Sequence, residues 1–171
     1  MEQIKQLNMK TFNLLLVFFF VVSVSCAQKS PRLEAKGTVN GAQIMIDYGA
    51  PSVKGRAVWG DLEKYGQVWR AGANENTTVS FDKDVTINGK KLAAGKYGFF
   101  IIPNESGDWV AIFNKKNDGW GAYSYSEADD ALRVMVKPDF DTNVQEQLMY
   151  AVDKTGIVFA WEKARLHIAV N

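Results

Sequence analysis

Between Pro51 and Thr77 the chain gathers side chains of the kinds that hold polar ligands. Lys54, Arg56 and Arg70 are cations, Trp59 and Trp69 are flat apolar faces, and Asn74 and Glu75 are hydrogen-bonding groups. A cation on a tryptophan face gains about 0.5 to 2 kcal/mol, and an arginine beside an aromatic ring can hold a sugar or a carboxylate. Arg56, Trp69, Arg70, Asn74 and Glu75 are therefore the candidate ligand-binding residues, for a small polar ligand or a sugar. Two other readings stay open. In a hydrolase-like enzyme Glu75 would act as acid or base and Arg70 would stabilise developing charge. A structural or assembly domain would show a broad exposed apolar patch on one sheet face. For the loop itself the structural alternative has Trp59 and Trp69 turned inward to plug one end of the fold, with Arg56, Arg70 and Glu75 satisfying backbone carbonyls and one another.

Much other chemistry is excluded by count. His167 is the only histidine, and it lies between Leu166 and Ile168 in a strand-like segment with no Ser or Cys nucleophile pattern beside it. A histidine-rich zinc or iron site cannot be built from one imidazole, and Cys26 is the only cysteine. Asp129, Asp130, Asp139 and Asp141 offer oxygen ligands, but their spacing fits no calcium loop and reads as solvated carboxylates. Asn88-Gly89-Lys90-Lys91 is a hairpin turn rather than a phosphate-cradling loop. No cofactor, metal or catalytic residue is expected from these patterns.

The elements that must position the loop are short strands. Leu33 to Val39 and Ala42 to Tyr48 flank Asn40-Gly41, and an Asn-Gly pair between extended segments is a strong hairpin signal because both residues tolerate positive φ. Further strands are expected at 77–81, 85–87, 90–92, 95–103, 108–114, 132–136, 147–153, 157–161 and 165–170. A single helical turn is expected at Asp61 to Tyr65. Trp109 and Trp161 fall within strands and read as core, whereas Trp120, in Gly119-Trp120-Gly121, reads as exposed. The pattern predicts an all-β domain, a β-sandwich or jelly roll of roughly nine or ten short antiparallel strands. The loop at 51–77 exceeds the usual connection of about 4 to 6 residues, so it is expected to be functional or self-packed.

The N-terminus has a different character. Lys5 and Lys10 precede an apolar run from Leu14 to Val22, then small residues around Cys26. That layout reads as a cleaved export signal over residues 1–27, with the domain proper over 28–171. Cleavage after Ala27 and lipidation of Cys26 are both compatible with it, so localisation is expected to be periplasmic, secreted or envelope-anchored. Without Lys5, Lys10 and Glu2, the totals of 20 basic and 19 acidic side chains become 18 and 18. A balanced chain offers no electrostatic footprint for nucleic acid, and a membrane contact is expected only through a lipid on Cys26.

Ser30-Pro31, Tyr48 with Pro51-Ser52-Val53-Lys54-Gly55-Arg56, Trp59-Gly60, Val68-Trp69-Arg70-Ala71-Gly72-Ala73-Asn74-Glu75, Ala94-Gly95-Lys96-Tyr97 and Trp161-Glu162 together resemble an exported bacterial family, the domain of unknown function 2911. The resemblance covers about 30–170. It implies export and a compact β domain, and it implies no established activity, substrate or cofactor.

Overall fold

The structure, a computed structural model, describes residues 29–171; the export-signal and Cys26 readings lie outside the described residues. Ten strands form in chain order: β1 (Arg32–Val39), β2 (Ala42–Gly49), β3 (Thr78–Phe81), β4 (Val85–Ile87), β5 (Lys90–Leu92), β6 (Gly95–Ile102), β7 (Trp109–Asn114), β8 (Asp130–Val136), β9 (Asp139–Val152) and β10 (Gly156–Ala169). The fold is an all-β sandwich with antiparallel pairing throughout. The two Asn-Gly turns form as the sequence dictates, with Asn40 and Gly41, and Asn88 and Gly89, all at positive φ.

One layer is a six-stranded sheet in the order β1-β2-β3-β6-β7-β8. The other is built on the long β9–β10 hairpin, with the β4–β5 hairpin joined to it where Ile87 pairs with Val170 and Thr86 and Asn171 exchange two backbone bonds. Period-2 alternation fixes which face meets the other layer. Ile44, Ile46 and Tyr48 of β2, Phe99 and Ile101 of β6, Trp109, Ala111 and Phe113 of β7, and Phe159, Trp161, Leu166 and Ile168 of β10 all point inward and are buried. The free edge of β8 is covered by side chains rather than by another strand: Asn88 donates to the Met135 carbonyl at 2.9 Å and Lys90 to the Arg133 carbonyl at 3.1 Å.

Three expectations change. The segments 157–161 and 165–170 are one strand, β10, interrupted by a bulge at which Glu162 takes φ +52°. A bulged residue breaks the alternation by which a strand is recognised. β9 begins at Asp139 rather than near 147, because its first half is a polar ribbon paired to β10 without a buried face. Asp61 to Tyr65 forms turns instead of a helical turn; among the described residues the one helical turn is a 3-10 turn at Glu127–Asp129.

Candidate functional site

The 51–77 loop closes one end of the sandwich because its two arms belong to opposite layers. Its first arm adds to β9: Val53 N donates to Glu146 O at 2.8 Å, and Leu148 N to Pro51 O at 2.9 Å. Its second arm adds to β6, where Trp69 and Ile101 exchange two backbone bonds of 2.8 Å. Between the arms, four tryptophans meet. Trp69 lies flat on Trp161 at 5.5 Å and 22°, while Trp59 meets Trp69, Trp109 and Trp161 edge-on or tilted at 5.7, 4.6 and 5.6 Å. Offset and edge-to-face contacts of this kind add about 0.5 to 1.5 kcal/mol each beyond burial.

After Trp69 the chain makes a tight reversal. Ala71 takes φ +51°, and its carbonyl accepts hydrogen bonds from Thr77 Oγ1 at 3.1 Å and Tyr150 Oη at 2.8 Å. Burial pushes the Tyr150 hydroxyl well above its ordinary pKa, so it stays a donor. Gly49 lets the reversal pass: a Cβ there would lie 2.0 Å from the Ala73 carbonyl oxygen.

The five candidate residues take distinct positions on this frame. Trp69 is 4% exposed, with Nε1 donating to Gly72 O at 3.1 Å, so its ring faces the core. Arg56 is exposed and staples its own turn by donating to the Val53 and Ser52 carbonyls. Asn74 is half-buried at φ +65°; its carbonyl accepts Gly121 N at 3.0 Å and its side chain reaches Ser30 O at 3.4 Å. Glu75 pairs with Lys29 at 2.9 Å, and that hydrogen bond holds its carboxyl below the usual range. Lys29 also lies 5.4 Å over Trp120, which is 54% exposed. Arg70 is half-buried, and among the described residues its side chain has neither a hydrogen-bond acceptor nor an ion-pair partner; its Nε is shut off from solvent.

Arg70 and Glu75 therefore belong to different neighbourhoods. The charges that act on Glu75 are Lys29 and Arg32, whereas Arg70 acts on Glu63, a residue the sequence reading passed over. Burial raises the Glu63 carboxyl to about 7, with Arg70 and Arg56 pulling it partly back. No ion pair within 4.0 Å joins Glu63 to either arginine among the described residues. Trp59 Nε1 and Trp161 Nε1, in the adjacent tryptophan cluster, are buried donors without partners as well. Buried polar groups are nearly always paired, so three partnerless donors at one end of the fold make this end the candidate site among the described residues. The usable signal was an acid in the Gly60–Gly66 turn flanked by two arginines.

Next to Arg70 stands Tyr123, 90% exposed. Gly121, at φ +64°, separates them: a Cβ built on it would lie 3.1 Å from the Tyr123 ring and 3.5 Å from Arg70 Nη1. The loop carrying both aromatics is held from below. Asn76 N donates to Gly119 O at 3.0 Å, and Tyr125 Oη donates to Asp130 at 2.8 Å, with Asn114 Nδ2 on the same carboxylate at 2.7 Å. Burial first, and the Asp130 bond second, push the Tyr125 hydroxyl to about 12. Asp130 is thus a packed structural group, which corrects its reading as a solvated carboxylate. His167 points outward as the alternation requires, with Nε2 2.9 Å from Thr155 Oγ1. A separate groove of about 640 Å³ crosses the outer face of β1, β2, β3 and β6 between Lys36 and Lys96, and none of the loop residues line it.

The fold and this end of it define a class: an all-β sandwich closed by a tryptophan-lined cap that leaves an arginine and a desolvated carboxyl without side-chain partners among the described residues. Within that class the chain belongs to the family described as protein of unknown function DUF2911, whose family model matches residues 30–170. No curated protein and no solved structure matches the chain.

Proposed function

We propose that this protein is an exported, non-catalytic binding domain that takes a small polyhydroxylated ligand, a sugar, at the Arg70 end of the cap. The observation that carries the reading is Arg70: its Nε is a buried donor with no protein acceptor among the described residues, and its Nη1 reaches the point beside Tyr123 that Gly121 leaves open. Vicinal hydroxyls both donate and accept, which suits an arginine and a weakly acidic carboxyl that act on one another without an ion pair among the described residues. The apolar C–H face of a pyranose ring suits an exposed tyrosine. Export rests on the basic and apolar layout of the first 27 residues.

Binding is favoured over hydrolysis by the acids. A glycosidase needs two carboxyl groups flanking one bond, roughly 5 to 9.5 Å apart. Glu63 is acted on by two cations, Arg70 and Arg56, whereas Glu75 is held ionised by Lys29, so the two acids have separate partners. The test is a thermal-shift screen of the domain with neutral sugars, amino sugars and sugar acids. A ligand at a hundred times its Kd stabilises by about 2.7 kcal/mol, a rise in Tm of roughly 5 to 10 °C for a domain of this size. A response lost in Arg70→Ala supports the reading; a flat screen, or an Arg70→Ala response equal to the parent's, sinks it.

A further inference from the structure

We infer that the ligand of this site is a sugar acid, with its carboxylate against the Arg70 guanidinium and its ring against Tyr123. This rests on the sugar-binding reading above and adds the charge and the placement.

The charge follows from what surrounds Arg70. A guanidinium presents a planar fork that matches a carboxylate with two parallel bonds, and such charge-assisted pairs are the strongest hydrogen bonds available to it. The protein supplies no such partner among the described residues. Glu63, the nearest acid that Arg70 acts on, lies beyond ion-pair distance, and its burial keeps it partly protonated. Arg56 contributes a second positive charge to the same region, although its Nε and Nη2 are engaged by the Val53 and Ser52 carbonyls. The local balance is two fixed cations against one weakened anion, which favours a ligand with a single negative charge. A doubly charged phosphate would exceed that balance and would meet stronger repulsion from the ionised fraction of Glu63 than a carboxylate does.

The placement follows from Gly121. A bare backbone at that position lets the Tyr123 ring and Arg70 Nη1 approach the same point, at 3.1 and 3.5 Å, so the two are neighbours within the span of one sugar ring. The ring offers a face for the apolar side of the sugar, and the guanidinium reaches the group at its edge.

The experiment is calorimetric titration of the domain with galacturonate and with its methyl ester, which keeps the sugar and removes the charge. The inference expects the acid to bind at least tenfold more tightly than the ester. Arg70→Ala should erase that ratio, and Arg70→Lys should keep part of it. Tyr123→Ala, at an exposed position that leaves folding intact, should weaken acid and ester by the same factor, because stacking does not read charge. Equal binding of acid and ester would overturn the carboxylate inference and leave the sugar reading standing. Binding of neither would overturn both. Galactose 1-phosphate binding more tightly than galacturonate would overturn the preference for a single charge.

Discussion

Replacing Glu63 with Gln tests whether this end of the fold carries a real electrostatic cost. The carboxyl is shifted from its ordinary 4.5 to about 7, chiefly by burial. Below pH 4.5 it is protonated in both folded and unfolded chains, so it contributes nothing to the pH dependence of stability. As pH rises, the unfolded chain releases its proton first, and the folded state is penalised progressively until the pH has passed about 7, where both forms are ionised. Each tenfold shift is worth about 1.4 kcal/mol, which bounds the penalty near 3 kcal/mol; water reaching a half-buried site lowers it to about 1 to 3 kcal/mol. Glu63→Gln removes the ionisation and leaves the shape. The assay is urea denaturation of parent and variant at pH 5, 6, 7, 8 and 9, taking the difference so that contributions common to both chains cancel. The variant should match the parent within about 0.5 kcal/mol at pH 5 and exceed it by about 1 to 3 kcal/mol at pH 9. A difference independent of pH would refute the burial of Glu63, and a parent that gains on the variant at high pH would show that Arg56 and Arg70 already neutralise it.

The Ala71 carbonyl supports a double-mutant cycle. Tyr150→Phe or Thr77→Val alone leaves it one donor and should cost about 1 kcal/mol, while the pair strands it and should cost about 1 to 2 kcal/mol more than the sum, read by urea midpoints. Strict additivity would show that the two bonds are independent. Gly49→Ala sets a Cβ against the Ala73 carbonyl oxygen at 2.0 Å and should lower stability by about 3 kcal/mol or more, or abolish soluble expression. A Tm within 3 °C of the parent would show that the reversal after Trp69 is loosely held.

The hairpins, the inward alternation and the burial of Trp109 and Trp161 were legible because each is a local signal: an Asn-Gly pair, a period of two, an aromatic within a strand. What was not legible depends on long-range contact. Trp69 and Arg70 are adjacent in sequence and look like one binding motif, yet pairing with Ile101 sends one ring into the core and leaves the other side chain on the opposite face. Glu75 looked like a partner for Arg70 until the antiparallel contact of 74–76 with 119–121 placed it beside Lys29. Glu63 carried only the weak signal of an acid between two arginines, since a lone acid in a turn usually faces water and its burial is a property of the folded chain. Tyr123 lies more than fifty residues from Arg70, and only the folded chain brings them together. The tryptophans of the loop plug the sandwich, and Arg70 and Glu63 are the residues on which the proposed ligand reading turns.

The most direct measurement is a crystal structure of the domain soaked with galacturonate. The account predicts carboxylate oxygens within about 3 Å of Arg70 and the sugar ring against Tyr123, with the tryptophan cluster unmoved. Arg70 found instead in a close ion pair with Glu63, with the sugar absent or bound elsewhere, would contradict it.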